Sequence, residues 1–282
     1  MSVERPKFPR VPWSLIHLPP FPQVALRVLQ LVSRDHLSLR QLSDLIATDQ
    51  AFASEILMIA NSPLYAHRDT IHSILQGIAT LGLERIRGLA LTVGIRAYLG
   101  GTLANPALRT VWRHSLACAL IAEDVAALNL MEKGAAYTAG IMHDIGRVAL
   151  AVIQPAAYLE FLQRTEEVPC EDVLQREREH FEIDHCEAGR QLVLAWHLPD
   201  ELLEVVWHHH APLDDILVDI PAVIRFSCKL AELIGFGVIA TVPVPRYEDL
   251  LVRLPEKGNL FPANRDELAF RIATKINSIE SP

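Results

Sequence analysis

The chain has 282 residues, half of them hydrophobic and 21% charged, with 34 acidic against 26 Lys and Arg side chains and a formal net charge of -8. That length and apolar content suffice for one large domain or two modest ones and exclude a disordered chain. The acidic balance argues against sequence-independent nucleic-acid binding, which needs clustered cations over phosphates.

Residues 1–20 are proline-rich and read as an extended lead-in that closes with Leu18-Pro-Pro-Phe-Pro22. A first helix starts there, with Val24, Leu26, Val28, Leu29 and Leu31 as its apolar positions. Ser38-Leu-Arg-Gln41 has the form of a capping box, which places a second helix up to about Ala47. Asp49 caps a third through Ala60, and Asn61-Ser-Pro63 breaks it. Helices over about Ile71 to Leu81 and Leu83 to Leu99 follow, separated by Gly82 and ended by Gly100-Gly101. Arg85, Arg87, Arg96, Arg109 and Arg113 read as a solvated helical face.

Asn105-Pro106 opens a longer helix that carries Trp112, His114 and Ser115. Gly134 separates it from a helix leading into His143-Asp144, and an apolar run, Val148 to Ile153, stops before Pro155. Shorter helices are expected over about Ala156 to Arg164 and Glu171 to His180. Asp184 caps a helix from His185 to about His197; Leu198-Pro199 starts the next, which carries Trp207-His208-His209-His210 and ends at Pro212. Ile220 to Ile234 is an apolar helix containing Cys228, and Arg265 to Ile279 is the last. Val238 to Val244 is β-branched but proline-bounded, an edge or an extended connector. The fold class is all-α, with no solenoid period of about 20 to 50 residues.

Cys118, Cys170, Cys186 and Cys228 are widely spaced, without a Cys-x-x-Cys pair, as expected of reduced thiols in a cytoplasmic protein. Met1 to Arg10 lacks a signal peptide's apolar core, and Leu233 to Pro245 falls short of the roughly 18 residues a spanning helix needs. No membrane role is expected.

The chemistry concentrates at His143-Asp144, inside the apolar stretch Thr138 to Leu150. A buried imidazole beside a buried carboxylate costs several kcal/mol unless both are paired or share a cation, which a metal ion supplies. The other reading is a partly solvated helix end with Gly146 as the stop. His114, His143 with Asp144, His185, and His209-His210 fall on four different predicted helices, as in bundles that point ligands inward.

That order, His, His-Asp, His, His-His, resembles the HD superfamily of metal-dependent phosphohydrolases and especially its HDOD branch, the HD-related output domains of bacterial signalling. The first half is similar to that branch through Leu18 to Pro22, Leu45-Ile-Ala-Thr-Asp49, Ile59-Ala-Asn-Ser62 and Leu81-Gly-Leu-Glu84. In the second half the matching segments are Trp112-Arg-His-Ser115, Met142-His-Asp-Ile-Gly-Arg147, Asp184-His-Cys-Glu-Ala-Gly189, Trp196-His-Leu-Pro199 and His209-His210-Ala-Pro212. The resemblance implies an N-terminal helical subdomain, residues 21–101, packed on an HD-like bundle, residues 102–282, as one continuous unit.

It also implies a divalent metal, iron, manganese or zinc, in one or two sites, or a site of this kind left without metal. His114, His143 and Asp144 would hold the first ion, and His185, His209 and His210 the second, with Asp144 bridging and Arg147 holding phosphoryl oxygens. Two features depart from a hydrolase. Ser227-Cys228 stands where the family has Ala-Asp, and the Gly-Tyr-Pro of the cyclic-dinucleotide phosphodiesterases is missing after His210. A thiolate can bind zinc or iron, whereas a buried thiol is more often inert packing.

The expected function is a signalling module that acts through a protein partner or a nucleotide ligand, with a retained metal site and no catalysis. The alternative is a phosphohydrolase acting on a nucleotide or cyclic dinucleotide. No receiver, cyclase or kinase segment precedes residue 18, so the signal is expected to arrive through a partner or ligand.

Overall fold

The computed structural model describes residues 21–32, 38–65, 69–167, 172–213, 216–239, 245–255 and 261–280. Among these, every regular element is a helix. In the first half, α1 (Gln23–Val32), α3 (Gln50–Ala60) and α4 (Ile74–Leu81) pack on α5 (Leu83–Leu99), with α2 (Leu39–Ile46) against α1, α3 and α4. Asp49 caps α3 by accepting from Phe52 N at 3.0 Å, and Ser38 and Gln41 form the capping box of α2. The α4 helix starts three residues later than its apolar pattern suggested, because Asn61 clasps the backbone of Ile71 through two hydrogen bonds of 2.7 and 2.8 Å and Ser73 provides the cap. Ile86, Leu89, Leu91, Val93 and Ile95 are buried around α5, so it is apolar on nearly every side, the signature of a central helix.

The second half is built on α6 (Pro106–Leu128), which Asn105 caps and Pro106 opens. Against it pack α7 (Lys133–Met142), α8 (Ile145–Ile153) and α9 (Pro155–Glu167). Next come α10 (Val173–Phe181), α11 (His185–Ala195), α12 (Asp200–His208) and α13 (Ile220–Ala231), with the short α14 (Tyr247–Leu251) and α15 (Arg265–Glu280) closing the chain. Gly134 lies inside α7, whose cap is Glu132. Of the connector expected over Val238 to Val244, residues 240–244 lie outside the described residues. The two halves share one cluster of buried side chains; where they meet, the Thr92 hydroxyl lies 2.9 Å from the Tyr137 hydroxyl.

The apolar stretch around His143-Asp144 breaks two residues earlier than a Gly146 stop would place it. Asp144 (φ -102°, ψ 21°) interrupts the helix and α8 restarts at Ile145. Gly146 belongs to α8 for a different reason: a Cβ there would lie 1.9 Å from the carbonyl oxygen of His185. The missing side chain lets α8 and α11 touch backbone to backbone, and that contact brings His185 to Asp144. No single described helix is long and apolar enough to cross a membrane.

Candidate metal centre

Five predicted site residues converge in the interior of the second half. His143 and His185 are 0% exposed, Asp144 2%, His114 3% and His209 4%, and His210 is half-buried beside them. They arrive from separate places: His114 from the middle of α6, His143-Asp144 from the break between α7 and α8, His185 from the first turn of α11, and His209-His210 from the end of α12. His208, by contrast, is exposed and faces Glu204 at 3.9 Å.

The imidazoles are oriented from behind. His143 Nδ1 donates to Gly140 O at 2.7 Å, His114 Nδ1 to Phe236 O at 2.9 Å, and His209 Nδ1 to Val206 O at 3.0 Å. The Phe236 carbonyl is presented by a single wide turn after α13, reversed at Gly235, whose φ of 97° suits glycine. His185 Nδ1 is held by Glu177 Oε2, which also accepts from the His185 backbone N at 2.9 Å. With the proton on Nδ1, each neutral ring offers the lone pair of Nε2 to the interior.

Those lone pairs face one another. His114 and His143 Nε2 are 3.2 Å apart, His185 and His209 Nε2 3.1 Å, and His185 and His210 Nε2 3.0 Å. Unprotonated acceptors this close repel unless a proton or a metal ion lies between them, so in their neutral form the donor set fits a bound metal. Asp144 stands between the two groups: Oδ2 is 3.6 Å from His114 and 3.8 Å from His143, while Oδ1 is 3.4 Å from His185 and 3.3 Å from His209. Two pockets therefore share one carboxylate.

Three further residues complete the surroundings. Cys228 Sγ on α13 lies 3.6 Å from His114 Nε2, within one donor cluster with His114 and His143. The thiol therefore lies at donor distance from the centre. Cys186 Sγ lies 3.7 Å from His185 Nε2, in a cluster with His185, His209 and His210. Sequence reasoning passed over Cys186, although its place beside His185 was the available signal. It also passed over Glu177, 0% exposed, which lies within the charged run Gln175-Arg-Glu-Arg-Glu179.

Arg147 is buried and lies on the same network. Its Nε is 3.1 Å from the Asp144 carboxylate and its Nη1 3.0 Å from Glu177 Oε1. Burial opposes the charge on Asp144, and Arg147 and His143 overcome it, holding the carboxyl well below the usual range. In the metal-free protein burial presses His143 down to about 3 and also lowers His114. For His185, burial and the Arg147 cation oppose protonation, but Glu177 and Cys186 outweigh them and the ring rises to about 10. A narrow cavity bordered by His114, Asp144, Arg147, His210, Cys228 and Glu232 reaches the centre.

A family model for the HDOD domain matches residues 18–212, about two thirds of the chain and every one of the predicted metal-binding residues. The chain belongs to the HDOD family. An uncharacterized protein of Treponema pallidum (strain Nichols) is 24% identical over 207 residues, 68% of this chain; the chain spans 37% of that relative. An HDOD domain protein of unknown function from Geobacter sulfurreducens superposes with a TM-score of 0.71 at 23% identity, over 95% of this chain and 93% of that one. A Marinobacter aquaeolei VT8 protein, provisionally named for signal transduction, gives 0.67 at 20% identity, over 94% of this chain and 58% of that one. A Shewanella amazonensis SB2B protein, provisionally named a phosphohydrolase, gives 0.66 at 16%, over 93% and 92%. The likeness to these structures is one of fold.

Proposed function

We propose that this HDOD chain is a bacterial regulatory module whose histidine centre binds divalent metal as a structural core and does not turn over a substrate. The observation that carries this reading is the closure of the centre: the side chains of His114, His143, Asp144, His185 and His209 are all at most 4% exposed. Hydrolysis needs space at the ions for both a phosphate ester and an attacking water. The acids are committed as well. Glu177 is engaged by Arg147 and His185, and Asp144 by Arg147 and four imidazoles, which leaves neither carboxylate free as a general base.

His114, His143, Asp144 and Cys228 would hold one ion, and His185, His209 and His210 the other. Metal bound there would supply Lewis acidity, and here it would chiefly neutralise facing donors and lock α6, α8, α11 and α12 together. Arg147 is assigned first a positioning role, since it clamps the two acids behind the ligands. The output would then pass through a signalling protein or a nucleotide that reads the helical surface, with residues 21–101 and 102–282 working as one unit.

A working phosphohydrolase is the second reading, favoured by the cavity that reaches Asp144, Arg147 and His210. Metal analysis of protein prepared without a histidine tag, followed by a phosphodiester and nucleotide hydrolysis screen with manganese, iron and zinc, separates the two. Stoichiometric metal without turnover is expected. Metal-dependent turnover that disappears in Asp144→Asn would establish the enzyme instead.

A further inference from the structure

We propose that the centre is a pair of nitrogen–sulfur pockets, each completed by one cysteine thiolate, Cys228 on one side of Asp144 and Cys186 on the other, and that this pairing selects zinc over manganese. The inference rests on the reading that the centre holds metal and adds which metal it takes.

Geometry is the first support. Four donors at ordinary zinc distances, about 2.0–2.1 Å for nitrogen and 2.3 Å for sulfur, leave tetrahedral edges of about 3.3 Å between nitrogens and about 3.6 Å from nitrogen to sulfur. Cys228 Sγ is 3.6 Å from His114 Nε2 and Cys186 Sγ 3.7 Å from His185 Nε2. The nitrogen pairs stand at 3.0 to 3.2 Å. In each pocket one donor atom from each residue lies within 4.8 Å of all the others, for His185, Cys186, His209 and His210 as for His114, His143 and Cys228.

Charge is the second. Glu177 and Arg147 pair with each other, so neither compensates the ions. Two divalent ions held by neutral imidazoles and the single carboxylate of Asp144 would bury about three uncompensated charges, which a site this closed tolerates poorly. Two thiolates reduce the excess to about one. Softness then sets the choice of metal: thiolate and imidazole suit zinc, whereas manganese prefers carboxylate, carbonyl and water oxygen, of which the ligand sets offer only Asp144. The other described buried thiol makes the contrast. Cys118, also on a site helix, faces the Ile224 carbonyl at 4.0 Å and belongs to neither cluster.

The test uses the full untagged chain, stripped and reloaded with zinc, manganese or cobalt(II), with bound metal counted by mass spectrometry and cobalt read by absorption. Expected are about two zinc ions per chain, at least tenfold preference over manganese in competition, and a near-ultraviolet sulfur-to-cobalt charge-transfer band. Cys186→Ser and Cys228→Ser should each remove about half of that band, and Cys118→Ala should leave it intact. Because serine variants can fail to fold, Cys186→Asp and Cys228→Asp are read in parallel; they keep the negative charge, so they should still load metal while losing their share of the band and admitting manganese. Cobalt bound without the band, or aspartate variants that keep both the band and the zinc preference, would overturn the sulfur assignment and leave the metal reading standing. Protein that binds none of the three metals would overturn both.

Discussion

The two halves of the molecule bury different things. Around α5 the core is made of Ile, Leu, Val and Ala with Phe21, Phe52 and Tyr98, and Ser62 and Thr92 join it as buried polar side chains among the described residues. The second half buries His114, His143, Asp144, Arg147, Glu177, His185 and His209 within the same continuous core. An apolar core loses stability in proportion to the surface and volume removed, whereas a buried ionic network depends on each member, because every deletion strands a partner. The first half is therefore a scaffold with graded tolerance, and the second a centre that fails as a unit.

The sharpest way to break this contrast is Asp144→Ala. It strips the shared carboxylate from both pockets and leaves Arg147 facing Glu177 alone, with an expected loss of about 3–5 kcal/mol and of all bound metal. Denaturant unfolding and metal counting check both parts. Next comes Leu89→Ala in the middle of α5, where a fully buried side chain vanishes at a cost of about 2–5 kcal/mol with metal stoichiometry unchanged. Should Leu89→Ala release metal as readily as Asp144→Ala, the division of labour between the halves would be wrong.

Protons offer a milder probe of the metal-free protein. His143, depressed to about 3 against an ordinary 6.5, is a group the unfolded chain protonates first, so its contribution is present above pH 6.5 and is lost as pH falls toward 3. His185, raised to about 10, and His209, raised to about 9 by Cys186 and Asp144 against the cost of burial, have the opposite sign. Their contribution is full below pH 6.5 and disappears as pH rises through 9 to 10. Thermal unfolding across pH should thus show a maximum near neutrality, and bound metal should flatten the alkaline limb, since it replaces those protons. Monotonic stability from pH 5 to 10 without metal would contradict the assigned fields. The smallest effect is expected at the periphery. Asp49→Ala removes the cap of α3 and should cost about 1 kcal/mol with metal untouched, as calorimetry can check.

Local chemistry made much of the fold legible. Asp49, Asn105 and Asp184 announce helix starts because a short polar side chain satisfying free backbone N–H groups acts within three residues. His114, His143, Asp144, His185, His209 and His210 were legible as a set, because polar groups inside apolar helices need partners. Glu177 was not, since its burial depends on α10 lying against the start of α11, a tertiary fact that a charged run conceals. The placement of Cys228 was not legible, because its 3.6 Å approach to His114 Nε2 joins residues 114 positions apart in the chain. Gly146 as a helix stop was one of two readings the sequence left open, because glycine serves that purpose often; the α8–α11 contact that it permits joins residues far apart in sequence.

The most direct test of the metal centre is the melting temperature of the untagged protein before and after exhaustive chelation, with bound metal counted in each sample and hydrolysis assayed on the loaded one. The expected result is metal on the purified chain, a fall in Tm of several degrees on its removal that added zinc reverses, and no phosphodiester turnover. A chain that carries no metal and melts at the same temperature with zinc or chelator would contradict it.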